Sequence, residues 1–221
     1  MSVEASPEVR CWGPALVSRY EEALRSATAL RVHDEAGAAL PFDTARWLDR
    51  PDAADESLLG RCTGPTIDVG CGPGRLVQTL TARGVPSLGV DVSGAAVRIA
   101  RSSGAMVLRR SIFDRLPGAG RWEVALLADG NIGIGGNTAR LLVRVRELLA
   151  PGGHALVEVE PGHEVGHFTA TLTGPSGETV ATFPWARIGA APLIELAEPL
   201  GYVAEEHWSV KERQFVALRR C

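Results

Sequence analysis

The chain has 221 residues and a formal net charge of −3 at pH 7, with 23 basic and 26 acidic residues. This length predicts one well-buried domain, and the near-balanced charge argues against a nucleic-acid partner or an anionic membrane surface. No apolar run approaches the roughly 18 residues of a membrane span, and the N-terminus lacks a signal-peptide pattern, so we expect a cytoplasmic protein.

The four cysteines are widely spaced and give no sign of a metal or disulfide framework. They form no C-x-x-C pair, and no cysteine and histidine cluster has zinc-ligand spacing. We therefore expect no metal site and no disulfide framework.

Residues 1–60 predict a small cap on the main domain, residues 61–221, within a single compact unit. Residues 14–28 place Leu16, Tyr20 and Leu24 on one apolar helical stripe. Residues 30–42 predict a short hairpin, and residues 47–59 predict a second helical stretch interrupted at a proline. This segment is too small for its own core, so we expect it to close over the site of the main domain.

Residues 67–75 read Ile-Asp-Val-Gly-Cys-Gly-Pro-Gly-Arg and are the most informative run of the chain. A short apolar strand ends in an acidic glycine-rich turn, and a helix is predicted to follow. Glycines allow such a turn to reach positive φ and to bring bare backbone against a ligand, while the helix presents unpaired N–H groups. The dinucleotide-binding spacing G-x-G-x-x-G would need glycine or alanine at Arg75, which argues against NAD or FAD.

Asp91 ends the next predicted strand, seventeen residues after Gly74. A carboxylate at the tip of the second strand of a βαβ unit can accept hydrogen bonds from both hydroxyls of an adenosine ribose. Asp91 is therefore the second candidate anchor of a ligand over the turn.

Strands and helices alternate through the main domain, which predicts a parallel sheet with right-handed crossovers and a ligand site beyond the carboxyl ends of the strands. The strands are predicted at 66–69, 87–91, 105–108, 122–128 and 154–160, and the helices at 75–82, 94–102 and 138–149. After them come a predicted hairpin at 166–173 and 178–183, a helix at about 190–199, and two closing strands at 202–210 and 215–219.

The pattern Asp68-x-Gly70-x-Gly72-x-Gly74, followed by Asp91, resembles motifs I and II of the class I S-adenosylmethionine-dependent methyltransferases. Residues 111–114 resemble the segment that packs on the adenine. Residues 126–131 resemble the fourth-strand motif near the methyl group, and 148–153 the turn into strand five. The resemblance covers most of residues 64–219.

This resemblance implies an α/β, Rossmann-like fold with a seven-stranded, mostly parallel sheet and an antiparallel last strand. The N-terminal helical and hairpin cap and the hairpin inserted after strand five lie outside it. It also implies S-adenosylmethionine as the cofactor. The residues expected to contact the cofactor are Tyr20, Asp68, Gly70, Cys71, Gly72, Gly74, Asp91, Val92, Ile112, Phe113 and Asp129.

Asp129 and His163 are the candidate catalytic residues. Methyl transfer needs the acceptor aligned with the methyl group, and it needs a base where the acceptor is a hydroxyl or an acidic carbon. Asp129 ends strand four, where it either contacts the methionine ammonium group or takes a proton. His163 follows strand five, where this fold keeps its acceptor pocket, and His167 is a further candidate. No convincing catalytic dyad is visible, which favours catalysis by proximity.

Three other features near the predicted site allow two interpretations each. Asn131 either orients substrate or is a plain turn residue, and the glycine-rich loop 130–137 either approaches the ligand closely or is a flexible connection. Trp185 either closes over the site or belongs to the core.

We expect an S-adenosylmethionine-dependent methyltransferase that acts on a small-molecule acceptor. The small acceptor follows from the near-neutral charge, the lack of an RNA-binding appendage, and a cap that would enclose a pocket. The alternatives are a same-fold enzyme that uses the sulfonium for cyclisation or aminocarboxypropyl transfer, a non-catalytic cofactor-binding subunit, and a methyltransferase of proteins or nucleic acids.

Overall fold

Two β-sheets with their flanking helices organise the chain, in a computed structural model that describes residues 14–26, 30–40, 42–162, 165–174 and 176–221. The strands are β1 (Arg31–His33), β2 (Ala39–Leu40), β3 (Thr66–Val69), β4 (Ser87–Asp91), β5 (Val107–Arg109), β6 (Trp122–Leu127), β7 (Leu149–Val159), β8 (Val165–Thr173), β9 (Thr179–Ile188), β10 (Tyr202–Val210) and β11 (Arg213–Arg220). The helices are α1 (Pro14–Ser26), α2 (Thr44–Leu48), α3 (Ala53–Leu59), α4 (Arg75–Ala82), α5 (Gly94–Ser102), α6 (Thr138–Leu148) and α7 (Ala190–Ala197), with 3-10 helices at Asn131–Gly136 and Glu198–Leu200.

The larger sheet has seven strands in the order β10-β11-β7-β6-β3-β4-β5. Strands β3 to β7 run parallel, and β11, the last strand of the chain, lies antiparallel between β7 and β10. This arrangement confirms the predicted α/β, Rossmann-like fold and its antiparallel last strand.

Helices cover both faces of this sheet because successive strand residues point to opposite sides. On β6, Val124 and Leu126 pack with buried residues of α3 and α4. The alternating residues Ala125 and Leu127 pack with buried leucines of α6 and α7. The two buried layers leave the carboxyl ends of the parallel strands as the edge where a ligand can bind.

The smaller sheet joins the N-terminal segment to the inserted hairpin, in the order β2-β1-β8-β9. Val32 on β1 pairs with Leu40 on β2 and with Leu172 on β8. The sequence predicted both hairpins but not their pairing. Buried residues from the two segments share one cluster: Leu16, Val32, Leu40, Ala170, Leu172, Phe183 and Trp185.

The N-terminal segment is divided between the two sheets. Helix α3 packs on the larger sheet, whereas α1, β1 and β2 contribute to the cluster of the smaller one. The boundary of a cap at residue 60 stays a prediction.

Most predicted elements are confirmed, and two strands are longer than predicted for identifiable reasons. The helices α4 and α5 have the predicted bounds. Strand β7 begins at Leu149 rather than at 154, because Leu149 pairs with Trp122 across an irregularity in the ladder. Strand β9 continues through Pro184, beyond the predicted end at Phe183, because β9 is an edge strand, where proline is tolerated.

Within the described residues, no helix has both the length and the apolar character needed to cross a membrane.

Candidate functional site

The glycine-rich turn between β3 and α4 lies at the carboxyl edge of the larger sheet. Gly70 and Gly72 have φ angles of 71° and 53°, in a region that side chains rarely adopt. A Cβ atom at Gly70 would lie 2.9 Å from Nδ2 of Asn131, and one at Gly72 would lie 3.2 Å from the Tyr20 hydroxyl. Both positions therefore favour glycine, and both line the cleft above the turn.

Asp91 fastens this turn to the end of β4. Its Oδ2 accepts the N–H of Gly72 at 2.9 Å, and its Oδ1 accepts the N–H of Ser93 at 2.8 Å. Burial raises the pKa of Asp91 to about 6, although hydrogen bonds from the backbone of Ser93, Gly72 and Val92 oppose the shift. The carboxylate thus organises the turn while it also lines the cleft.

Asp68 lies on β3 just before the turn and is 2 % exposed. Burial raises its pKa to about 7; the charge of Arg75 lowers the pKa, whereas Asp129, Asp91 and Asp55 raise it. Such an acid is partly protonated near neutral pH, and a cation placed beside it would favour the carboxylate.

Helix α1 forms a lid over the turn. Tyr20 is buried with its hydroxyl above Gly72, and burial raises its pKa well above the usual value, with a further contribution from the charge of Asp91. The next residue, Glu21, accepts the N–H of Ala95 at 2.9 Å, at the first turn of α5. Because helix N-termini present unpaired N–H groups and partial positive charge, this carboxylate anchors α1 to α5.

Aromatic rings complete the walls of the cleft. Trp47 on α2 meets Tyr20 edge-on, with centroids 5.9 Å apart. The ring centroid of Phe42 lies 5.8 Å from that of Trp47 and 5.3 Å from that of Trp185 on β9. All four rings line the cleft above the turn.

The residues predicted to contact a cofactor divide into two groups. Those that line the cleft are Tyr20, Gly70, Cys71, Gly72, Asp91, Val92, Ile112 and Asp129. Asp68, Gly74 and Phe113 are outside this lining. At Gly74 the need for glycine has a packing reason, because a Cβ atom there would lie 2.9 Å from Cβ of Ala100. The cofactor contacts assigned to both groups stay predictions.

Asp129 follows β6 with a φ of 55°, which is unusual for a residue other than glycine. Arg75 donates two hydrogen bonds to its carboxylate, at 2.7 and 3.2 Å, and Nη1 of Arg46 lies 3.0 Å from it. Its own N–H donates to Glu158 at 2.6 Å. The carboxylate oxygens of Asp129 are thus engaged by two guanidinium groups, and these contacts favour a holding role over proton abstraction.

A network of charged side chains surrounds Asp129, and sequence reasoning missed most of it. Asp55 on α3 accepts hydrogen bonds from Arg75 at 2.8 and 3.0 Å and from Arg213 at 2.8 Å. Burial alone would raise the pKa of Asp55, but the two arginines outweigh it and hold the pKa well below its usual range. The only local signal was Asp52, three residues earlier, which forms a capping box with Asp55.

Asn131 and the glycine-rich loop brace the turn and the smaller sheet. The Asn131 amide donates to the carbonyl oxygens of Val69 at 2.8 Å and Gly70 at 3.1 Å. A Cβ atom at Gly133 would lie 2.2 Å from the carbonyl oxygen of Ala186 on β9. The loop therefore needs a glycine at position 133 for close packing on β9, which differs from both predicted interpretations of the loop.

The two histidine candidates differ in what the structure describes. His163 lies outside the described residues. His167 is exposed on β8, and its Nδ1 lies 2.8 Å from the carbonyl oxygen of Gly136. It is not among the residues that line the cleft.

Comparison with known proteins identifies the fold by structure and not by sequence. No protein-family model matches the chain, and no curated protein matches it. Among solved structures, it is similar to an S-adenosylmethionine-dependent methyltransferase from Bacteroides fragilis in complex with S-adenosyl-L-homocysteine. That match has a TM-score of 0.77 and 19% identity, over 98% of this chain and 97% of the other.

Two further solved structures are similar at lower scores. One is the 1,6-didemethyltoxoflavin-N1-methyltransferase of Burkholderia thailandensis with bound 1,6-didemethyltoxoflavin and S-adenosylhomocysteine, at a TM-score of 0.63 and 15% identity, over 100% and 93% of the two chains. The other is the CcbJ methyltransferase of Streptomyces caelestis. That match has a TM-score of 0.57 and 19% identity, over 79% of this chain and 91% of the other. The chain therefore has the fold of the class I S-adenosylmethionine-dependent methyltransferases.

Proposed function

We propose that this protein is an S-adenosylmethionine-dependent methyltransferase that acts on a small-molecule acceptor. The observation that carries the proposal is the glycine-rich turn, bound through the N–H of Gly72 to the carboxylate of Asp91 beneath the lid formed by α1. Open α/β sheets bind their ligands at this edge. The similar structures described above, two of which contain S-adenosylhomocysteine, support the same conclusion.

The described residues fit this cofactor. Asp91 would hold the ribose hydroxyls, and the backbone of residues 70–74 would lie against the ligand. In this proposal Asp68 and Asp129 would lie near the ammonium group, and the hydroxyl of Tyr20 would contact the carboxylate. Val92, Ile112 and Phe113 would flank the adenine. When bound, S-adenosylmethionine supplies a methyl group activated by its sulfonium centre.

An enclosed cleft supports a small acceptor. Tyr20 of α1 and the aromatic rings of Phe42, Trp47 and Trp185 line the cleft above the turn, and walls on these sides favour a compact acceptor. The bound 1,6-didemethyltoxoflavin of the Burkholderia thailandensis protein is a precedent for a small acceptor in a similar structure.

Proximity is the proposed source of catalysis. Holding two reactants in the productive geometry can lower a barrier by about 7–11 kcal/mol, and Asp129 is engaged by Arg75 and Arg46. His163 stays a candidate base. If it takes a proton from the acceptor, His163→Ala should lower the rate by about 10²–10⁴ with cofactor affinity nearly intact.

Calorimetry with S-adenosylmethionine tests the cofactor site. Gly72→Val should abolish binding, because its side chain would enter the space between the turn and Tyr20. Gly84→Val is the matched control: Gly84 has a φ of 76°, but a Cβ atom there meets nothing within 4 Å. The two variants share the backbone strain, so equal binding by both would contradict the assignment of the turn.

A library of acceptors with a labelled methyl donor tests the reaction. Methyl transfer should release S-adenosylhomocysteine together with a labelled acceptor. A labelled product that carries the transferred carbon as a ring methylene would favour cyclisation, whereas an unlabelled product together with labelled methylthioadenosine would favour aminocarboxypropyl transfer. Cofactor binding with no turnover on any acceptor would favour a non-catalytic subunit.

A further inference from the structure

A second cleft adjoins the first on the other side of Phe42, Asp129 and Trp185, which line both. It lies where β9 of the smaller sheet meets the carboxyl ends of β6 and β7. A molecule in this second cleft would lie next to Asp129, the residue assigned above to the methionine end of the cofactor. This position suits the methyl acceptor.

The arginines of the second cleft already have acidic partners. A guanidinium group engaged by a carboxylate offers little net charge to an anionic ligand. The pairs are Arg187 with Asp34 at 2.8 Å, Arg213 with Glu158 at 2.6 Å, and Arg46 with Asp129 at 3.0 Å.

The side-chain carboxylates of Glu160 and Glu212, which also line the cleft, form no hydrogen bond or ion pair with the described residues. Glu212 is exposed, whereas Glu160 is half-buried. The lining of the second cleft therefore has surplus negative charge. A carboxylate or phosphate ligand would meet uncompensated like charge, and a cation would be attracted.

The position of Glu160 is fixed by the backbone. Its N–H donates to the carbonyl oxygen of Ile188 at 3.0 Å, and the residue forms a bridge with Gly189, at the junction of the two sheets. Burial raises the pKa of its carboxyl group; Arg187 partly opposes this, and Glu158 adds to it. A carboxylate in such surroundings is stabilised by a cation that binds beside it.

The aromatic walls are also suited to a cation with an apolar body. Phe42 and Trp185 lie 5.3 Å apart, and Leu40 and Ile132 add apolar surface. Ring faces attract cations electrostatically and pack against flat apolar groups.

We propose that the second cleft binds a methyl acceptor that carries an amine, with the carboxylate of Glu160 accepting a hydrogen bond from the amine nitrogen. Phe42 and Trp185 contact the apolar body of the same molecule. This inference rests on the proposed function and specifies its substrate class, a nitrogen-containing molecule that is cationic or neutral rather than anionic.

Binding of matched probes to the full-length protein tests the inference without turnover. Calorimetry, with and without saturating S-adenosylhomocysteine, would compare tryptamine, tryptophol and indole-3-propionate, and then phenethylamine, 2-phenylethanol and 3-phenylpropionate. Each set keeps one ring and changes the terminal group from amine to hydroxyl to carboxylate. We expect an amine to bind at least about tenfold more tightly than the carboxylate of its set.

Two variants locate the contact. Glu160→Gln should weaken amine binding about tenfold or more while leaving the alcohol nearly unchanged. Glu212→Gln removes an exposed carboxylate of the same cleft and should change amine binding less than about threefold. Unfolding temperatures of both variants should match that of the unsubstituted protein, which shows that neither fold is lost.

Three results would overturn the inference: no binding of either amine, equal binding of amine and carboxylate, or full amine affinity in Glu160→Gln. Failure of the proposed function is seen separately, as a lack of S-adenosylmethionine binding to the unsubstituted protein. Cofactor binding together with no preference for amines refutes the inference alone.

Discussion

At the scale of single residues, the carboxylates near the turn differ in what surrounds them. Asp91 accepts hydrogen bonds from backbone N–H groups, and Asp129 is held by guanidinium groups. Asp68 is buried, with a pKa of about 7. Since backbone donors, paired cations and burial act differently on a negative charge, three aspartates at one edge of a sheet can have three separate roles.

Replacing Asp91 should weaken the cofactor site. Asp91→Ala removes a carboxylate that holds the turn and is proposed to hold the ribose, so S-adenosylmethionine affinity should fall by about 1.5–3 kcal/mol. Asp34→Ala is a matched control, because Asp34 is also a buried aspartate that accepts two backbone N–H groups, those of Ala36 and Ala38 at 2.9 Å. Calorimetry that finds the same affinity loss in both variants, or none in Asp91→Ala, contradicts the ribose assignment.

The raised pKa of Asp68 predicts a dependence of stability on pH. Its folded-state pKa of about 7 exceeds an unfolded value near 3.9, so the folded state binds the extra proton and this contribution to stability is lost as the pH rises through about 7. Asp68→Asn cannot lose that proton. Its free energy of unfolding, relative to the unsubstituted protein, should therefore rise by about 1–3 kcal/mol between pH 5 and pH 8. Urea unfolding at both pH values measures it, and a pH-independent difference would refute the buried titration.

At the scale of secondary-structure elements, short segments position the lid. Helix α1 is attached to α5 through Glu21, and the 3-10 helix at Asn131–Gly136 packs on β9. The single turn of α2 contributes Trp47 to the cleft. These elements also bury apolar side chains, among them Leu16 and Leu24 on α1 and Ile132 on the 3-10 helix, so the polar contact of Glu21 adds to apolar packing.

Glu21 should hold the lid closed. Glu21→Gln removes the negative charge at the N-terminus of α5, which is worth about 0.3–1 kcal/mol and up to about 2 in partly buried sites. We expect faster proteolysis of residues 14–26 and faster dissociation of S-adenosylmethionine. Glu22→Gln is the control, since Glu22 is exposed and pairs with Arg19 on the outside of α1. If the two variants are cleaved at equal rates, the lid is held by other contacts.

At the scale of the whole molecule, the two sheets meet along the line where the clefts lie. The smaller sheet combines strands from residues 31–40 with strands from residues 165–188, and Trp185 on β9 lines both clefts. The ring of Phe183, in the same cluster, has its centroid 5.8 Å from that of Trp185, but Phe183 lines neither cleft. The smaller sheet thus acts both as a hydrophobic core and as the wall of the site.

Two substitutions in this cluster separate packing from ligand contact. Trp185→Leu and Phe183→Leu each remove an aromatic ring from a buried cluster and should each lower the free energy of unfolding by about 1–4 kcal/mol. Only Trp185→Leu should also weaken binding of S-adenosylmethionine and of the amine probes. Denaturant unfolding and calorimetry measure the two effects. Equal ligand affinities in both variants would show that Trp185 is a core residue alone.

The sequence by itself determined the features that depend on local patterns. The glycine spacing at 70, 72 and 74 follows from the backbone geometry of one turn, and Asp91 follows from its place at the end of a strand. The alternation of strands and helices follows from hydrophobic periodicity, which acts over a few residues. These features were enough to predict a parallel α/β sheet and the carboxyl edge where the cleft lies, and the resemblance to a known family supplied the seven-stranded, Rossmann-like form.

Only the tertiary structure decided which distant residues meet. Asp55, Arg75, Asp129 and Arg213 form one charged network although they come from four separate segments of the chain, and β1 pairs with β8 across more than a hundred residues. Glu160 shows no motif in the sequence; its significance comes from a cleft formed by both sheets and from arginines already paired there. Charge pairing and strand pairing between distant segments depend on packing of the whole chain, so local patterns do not contain them.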